Sequence, residues 1–148
     1  MSPDTSSILD DLLSGDRDRI LAAVGVLHGT YDRGLLDEIA PEADRIEAAT
    51  KGIDLGGAFL PNTHHLAFAI SKLRAVTDGH CLCQVVAGSS LMRPQVEASR
   101  GLLEVLSEAT DRDNLSTDIE VRCDSCGTQY RVTERIGWHL PTYEWRKA

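Results

Sequence analysis

The chain has 148 residues, of which 42% are hydrophobic, and its formal net charge at pH 7 is −8. At this length about two thirds of the unfolded surface can be buried, which allows an ordinary hydrophobic core. The acidic balance argues against binding to a nucleic-acid backbone, because that interaction requires clustered Lys and Arg. No apolar run reaches the roughly 18 residues of a membrane-spanning helix, and the first residues carry aspartate where a signal peptide carries basic side chains. We therefore expect a cytoplasmic protein.

Apolar residues recur at helical spacing through residues 1–77, and capping residues or glycines separate the recurring segments. The predicted helices cover residues 5–13, 16–29, 33–40, 42–51 and 63–76. Asp4 or Thr5 is expected to cap the first helix, and Asn62 the last. This region is therefore predicted to be a run of short antiparallel helices.

The early helices carry a pattern that resembles HEAT-like helical hairpins. The resemblance depends on the helix-turn-helix rhythm and on Asp16, Arg19, Ala22, Ala23 and Leu27. It implies one or two such hairpins. No second copy follows at a period of about 40 residues, so an ordinary small helical bundle stays open as the alternative.

Residues 78–148 change from helical to alternating periodicity. Cys81, Cys83, Val85 and Ala87 alternate, which predicts a strand that presents both sulfurs on one face. A helix over 94–109 is expected next, followed by a hairpin around residues 119–132 and a further strand within 136–146. The predicted fold class is α+β, in which a helical region (1–77) packs on a small antiparallel sheet (78–148) to form one compact unit.

All four cysteines fall in the second region, as a C-x-C pair (Cys81 and Cys83) and a C-x-x-C pair (Cys123 and Cys126). The second pair is followed by Gly127, which predicts a zinc knuckle: a tight turn whose backbone N–H groups point at the sulfurs. Two such pairs make a four-sulfur site for one structural Zn²⁺. A redox motif is disfavoured because the residues after Cys126 are predicted to form a strand, whereas a reactive cysteine is typical of a helix start. Iron–sulfur ligation, free thiols and His80 as a replacement ligand are the remaining alternatives.

These cysteines resemble those of the zinc ribbons, in which two pairs on neighbouring hairpins hold one zinc. The resemblance covers residues 81–132 and is specific at Cys123, Cys126 and Gly127. It implies a ribbon split by an inserted helix, with C-x-C in place of the first C-x-x-C. Arg122 and Arg131 are expected beside the site, where they offset the negative charge of four thiolates on one zinc.

No catalytic constellation is visible in the sequence. Four thiolates leave no open position on zinc for a reactive water. The deaminase and H-E-x-x-H patterns are absent, as are a G-x-S-x-G elbow and a glycine-rich phosphate loop. We expect a protein that is not an enzyme.

The C-terminal stretch is rich in aromatic residues, with Trp138, Tyr143 and Trp145 close together in a chain that is 5% aromatic. One interpretation is that these side chains cover the zinc hairpin and keep water from the sulfurs. The other is an exposed aromatic surface that binds a partner.

The combined features are typical of non-enzymatic protein recognition. Small acidic cytoplasmic proteins with HEAT-like helices and a zinc knuckle resemble the immunity or accessory proteins of bacterial toxin systems. That resemblance implies a basic protein partner for the acidic surface. The alternative is a zinc-ribbon module in transcription or nucleic-acid handling, which requires basic residues along the zinc hairpin.

Overall fold

The computed structural model describes residues 1–137 and 139–148, and these form two compact units, Met1–His80 and Cys81–Ala148. Within the described residues there are seven α-helices and one four-stranded antiparallel sheet, so the α+β prediction is confirmed. None of the described helices has both the length and the apolar character that crossing a bilayer requires.

The first unit is a set of short helices whose order follows the sequence prediction closely. They are α1 (Pro3–Leu12), α2 (Arg17–Gly29), α3 (Arg33–Ile39), a 3₁₀ turn (Ala40–Glu42), α4 (Ala43–Thr50) and α5 (Thr63–Asp78). The side chain of Asp16 accepts the backbone N–H of Arg19, and Asp32 caps α3 in the same way. Each of these caps satisfies a backbone donor that the helix itself cannot pair.

Two predicted caps are wrong. Ser2 caps α1 in place of Asp4 or Thr5, because Pro3 fits the first helical position, where its missing N–H costs nothing. Asn62 precedes α5 as expected, but its side chain makes no capping bond. It donates instead to the carbonyl of Leu55 at 2.9 Å, which closes the preceding loop.

The helices of the first unit enclose an aliphatic core. Its fully buried members are Leu12, Ile20, Leu27, Leu36, Ile39, Ile46, Leu55 and Leu73. In α2, Ile20 and Leu27 lie seven residues apart, and burial of one face holds short helices that would be marginal alone.

Lys72 lies in this core, and its side chain is fully buried. Its Nζ donates to three carbonyls near the end of α2: Leu27 at 3.0 Å, His28 at 2.9 Å and Thr30 at 2.7 Å. The ammonium also lies 4.0 Å from the centroid of the Tyr31 ring. Lys72 therefore joins α5 to the end of α2, where a cation suits the carbonyl-rich end of a helix.

The second unit is a four-stranded sheet with two short helices on one face. Its elements are α6 (Leu82–Ala87), α7 (Pro94–Ser99), β1 (Leu103–Asp111), β2 (Ser116–Cys123), β3 (Gln129–Ile136) and β4 (Pro141–Lys147). The strand order is β1-β2-β3-β4, with every pair antiparallel. α7 contacts β1 and α6 contacts β4. Alternate strand residues are buried on one face, and they are Leu103, Ile119, Val121, Tyr130, Val132 and Tyr143.

Two element predictions in this unit are wrong. Residues 81–87 were expected as a strand, but they form α6 preceded by Cys81 in an extended conformation. The predicted helix over 94–109 ends at Ser99, and β1 follows. The break comes at Gly101, whose φ of +89° is left-handed, and the N–H of Leu102 bonds back to the carbonyl of Glu97 at 3.2 Å. A glycine in the left-handed conformation is a common end of a helix, so the sequence itself contains the signal that ends α7.

We predict that Lys72→Met destabilises the first unit by about 2–4 kcal/mol, because three carbonyls lose their donor in a buried place. The measurement is urea unfolding followed by far-ultraviolet circular dichroism. Lys51→Met is the matched control, since Lys51 is exposed at the end of α4, and it should change stability by less than about 0.5 kcal/mol. Equal stability of the two variants would contradict the role given to Lys72.

Candidate metal centre

The four cysteine sulfurs form one cluster in the second unit, and all of them lie within 4.8 Å of one another. Sγ of Cys81 is 3.6 Å from Sγ of Cys123, and Sγ of Cys83 is 3.6 Å from Sγ of Cys126. A regular tetrahedron with Zn–S bonds of about 2.3 Å has sulfurs about 3.8 Å apart. The cluster is therefore close to the size that a tetrahedral metal ion requires, and no disulfide occupies it.

The C-x-x-C pair sits on a tight turn between β2 and β3, as predicted. Gly127 has φ of +75°, and its N–H bonds to the carbonyl of Cys123 at 2.9 Å. The N–H groups of Ser125 and Cys126 point at the sulfur of Cys123, and that of Thr128 points at Cys126. Such N–H donors stabilise thiolates. The predicted tight turn, with its N–H groups directed at the sulfurs, is present.

The C-x-C pair reaches the cluster from a helix start rather than from a strand. Cys81 precedes α6 with extended backbone angles (φ −69°, ψ 138°), and Cys83 lies in the first turn. The change of backbone direction at Cys81 brings both sulfurs to the knuckle without the strand alternation that we expected. In a zinc ribbon both cysteine pairs lie on β-hairpins. Here the pair Cys81 and Cys83 lies at the start of a helix, so this half of the site differs from what the zinc-ribbon resemblance implies.

Tyr130 supports the site from the buried face of the sheet. Its hydroxyl lies 3.2 Å from Sγ of Cys83, close enough to donate to a thiolate. The ring of Trp145 contacts the Tyr130 ring edge-on at a centroid distance of 5.7 Å, and Trp145 Nε1 donates to the carbonyl of Met92 at 3.3 Å. The contact with Trp145 holds the Tyr130 ring in the position that directs its hydroxyl at the Cys83 sulfur. Tyr130 is not among the residues that the cysteine pattern predicts for the site, although its place on the return strand of the knuckle is a usable signal.

The sulfurs differ in how readily they lose a proton. Burial raises the pKa of Cys83, although the Tyr130 hydroxyl partly offsets this effect, and burial also raises the pKa of Cys123. The hydroxyl and N–H of Thr128 lower the pKa of exposed Cys126 to about 6. Four thiolates so close together require a cation, and the affinity for that cation falls as the pH falls and protons compete for sulfur.

The two arginines expected beside the sulfurs face the opposite side of the sheet. Arg122 is exposed next to Cys123 on β2, and its guanidinium pairs with the carboxylate of Glu104. Arg131 is exposed next to buried Tyr130 and Val132, on the outer face. Strand alternation separates both from the cluster, so the prediction that they offset the thiolate charge is wrong. His80 is not a member of the cluster either.

The aromatic residues at the C-terminus have different surroundings. Tyr143 is buried, and burial and the Glu134 carboxylate raise its pKa to about 12. Trp145 is half-buried against Tyr130, and Trp138 lies outside the described residues. These contacts favour the covering interpretation for Tyr143 and Trp145. A partner-binding role for the three residues stays a prediction.

The arrangement offers four sulfur donors, which is the number that would fill the coordination sphere of one tetrahedral ion. Such a closed site holds elements of a fold together and has no vacant position for a substrate. Comparison with protein-family models, curated proteins and solved structures finds no match. Interpretation of the site therefore depends on its own geometry.

We predict that Tyr130→Phe lowers the metal affinity by about tenfold or more, because loss of a hydrogen bond to a ligand weakens that ligand. The measurement is competition with a chromophoric chelator. Tyr143→Phe removes a hydroxyl from the same buried face, away from the sulfurs, and should leave the affinity unchanged. An unchanged affinity in Tyr130→Phe would show that the hydroxyl does not support the site.

Proposed function

We propose that this protein is a non-enzymatic recognition protein in which a structural Zn²⁺, bound by Cys81, Cys83, Cys123 and Cys126, holds the second unit together. The observation that carries the metal assignment is the convergence of four sulfurs within 4.8 Å. Zinc bound to four thiolates supplies apparent binding energies of roughly 10–16 kcal/mol, which is large for so small a sheet. A cytoplasmic location suits the site because thiols stay reduced there.

Zinc fits better than the alternatives that use the same ligands. One cluster of four sulfurs separated by 3.6 to 4.8 Å matches a single tetrahedral ion. Iron–sulfur clusters also use four cysteines, but a cluster core would hold the sulfurs further apart than one ion does. A thioredoxin-like redox role would place the first cysteine of C-x-x-C at a helix start, whereas Cys123 ends β2.

Recognition of a partner is assigned to the first unit because of its charge. Residues 1–80 contain 13 acidic and seven basic side chains, so their formal net charge is −6. Among the described residues, the exposed carboxylates of Asp4, Asp10 and Asp18 form no ion pair. Unpaired carboxylates attract a basic surface and accelerate association with it. The proposed partner is a basic protein.

Inhibition of a basic toxin, as in an immunity or accessory protein, is the specific role that we propose within this class. An acidic inhibitor covers the basic surface that a toxin uses on its target. Binding of nucleic acid by the zinc hairpin is less well supported. On the outer face of the sheet, Arg122 pairs with Glu104 and Arg146 pairs with Glu144, which neutralises two of the cations that a phosphate backbone would need.

We predict that Cys126→Ser loses the zinc and unfolds the β2–β3 end of the sheet, because serine is a poor zinc ligand. Metal content is measured by plasma mass spectrometry and the melting temperature by calorimetry on the same sample. Ser125→Ala changes the neighbouring exposed residue and should retain one zinc. Full zinc occupancy of Cys126→Ser with an unchanged melting temperature would refute the ligand assignment, and iron in the wild-type protein would refute the choice of metal.

We predict that replacing Asp4, Asp10 and Asp18 together with asparagine weakens partner binding about tenfold, since each exposed charge contributes roughly 0.5 kcal/mol. The partner is first identified by native mass spectrometry of protein purified from its own host, and its affinity is then measured by calorimetry at two salt concentrations. The control carries Asp78→Asn, Asp113→Asn and Glu120→Gln, which produce the same net charge at other exposed positions. Equal weakening in both variants would refute a localised acidic surface, and co-purified nucleic acid would favour the alternative.

A further inference from the structure

The four sulfurs of the metal centre differ sharply in accessibility. Cys83 is 0% exposed and Cys123 is 1% exposed, whereas Cys126 is exposed at the tip of the knuckle. Cys81 is intermediate. A small oxidant arriving from solvent therefore meets the sulfur of Cys126 before the others. Both exposure and thiolate character govern which cysteine is oxidised.

The exposed sulfur also has a buried neighbour that can react with it. Sγ of Cys83 lies 3.6 Å from Sγ of Cys126, and a disulfide bond needs about 2.05 Å. Cys126 lies in the turn between the end of β2 at Cys123 and the start of β3 at Gln129, so a displacement of about 1.5 Å falls on a residue outside the strands. The pair joins α6 to the knuckle, two segments that are distant in sequence.

We propose that Cys126 is an oxidation site for hydroperoxides and that Cys83 resolves the oxidised sulfur as a disulfide, which releases the metal. This proposal depends on the metal centre described above. The Cys126 thiolate attacks one peroxide oxygen, the O–O bond breaks, and a sulfenic acid and hydroxide form. The Cys83 thiolate then attacks the Cys126 sulfur, the S–O bond breaks, and a second hydroxide leaves. Two sulfurs lose two electrons in total, and one hydrogen peroxide is reduced to two hydroxides that take up protons as water.

Formation of this disulfide removes two of the four ligands. Cys81 and Cys123 alone do not complete a tetrahedral zinc site, so the ion leaves. The hydroxyl of Tyr130 loses its thiolate partner at the same time. Oxidation therefore converts a metal-held unit into a disulfide-linked one, and a thiol reductant with added zinc restores the original state.

The test uses the full chain, reduced and loaded with Zn²⁺, and treats it with hydrogen peroxide. Released zinc is followed with a chromophoric chelator, free thiols are blocked with N-ethylmaleimide, and disulfides are mapped by mass spectrometry. Trypsin leaves Cys123 and Cys126 together in residues 123–131, and cleavage before Asp124 separates them. Arg93 precedes Pro94 and resists trypsin, so fragment ions within residues 75–100 then distinguish Cys81 from Cys83.

The expected result is zinc release at a rate proportional to peroxide concentration, with one zinc released for each Cys83–Cys126 disulfide. Dithiothreitol and added zinc should restore the metal. In the metal-free Cys83→Ser variant Cys126 should persist as a sulfenic acid that dimedone traps, whereas Cys81→Ser should still form the Cys83–Cys126 disulfide.

Two results would overturn the proposal while leaving the metal centre intact. One is a zinc-loaded protein that keeps its metal after peroxide treatment, and the other is a disulfide that joins Cys126 to Cys123 or Cys81. Failure of the reduced protein to bind zinc would instead refute the metal centre itself, before any peroxide is added. The mapping is read on wild-type protein, so it does not depend on whether the variants fold.

Discussion

The convergence of four thiols is the constraint on which the second unit depends. α6 has six residues, too few to be stable alone, and the sheet buries only one face. Two sulfurs come from the start of α6 and two from the turn between β2 and β3. An ion bound by all four therefore connects segments about 40 residues apart in the chain, and so acts as a long-range cross-link in a unit that has no disulfide.

The first unit is also built from short helices. Its α-helices have 7 to 16 residues, lengths that are marginal in isolation, so packing must hold them. Lys72 places a charged donor among three carbonyls that the end of α2 leaves unpaired. Removal of such a donor costs more than the hydrogen bonds contribute, because the buried acceptors remain. Each unit thus has a polar centre: the Lys72 ammonium with its three carbonyls in the first unit, and the four cysteine sulfurs in the second.

The parts of this fold that sequence reasoning predicted are those with local signals. The knuckle was predictable because C-x-x-C-G specifies its own turn. The C-x-C segment was not, because residues 81–87 are apolar at nearly every position and fit both periods: Leu82, Cys83 and Val86 are the buried set of a helix. Gly101 is a helix-ending signal in the sequence, but the apolar residues that follow it also fit a continued helix. Lys72 gave no signal, since a lysine in a helix is normally exposed.

The distribution of charge bears on what the metal centre can do besides hold the fold. Four thiolates on one Zn²⁺ would carry a charge of about −2, and Arg122 and Arg131 lie on the other face of the sheet, so a site occupied in this way would repel phosphate. On that outer face the side chains of β1 to β4 form paired charges and polar contacts, including Thr133 with Asp118 at 2.8 Å. In the part of the chain that the structure describes, exposed carboxylates without an ion pair are also found on α1 and α2, and they are Asp4, Asp10 and Asp18. Because surface charges act over about 8 Å at physiological salt, the field of these carboxylates is a local property of α1 and α2.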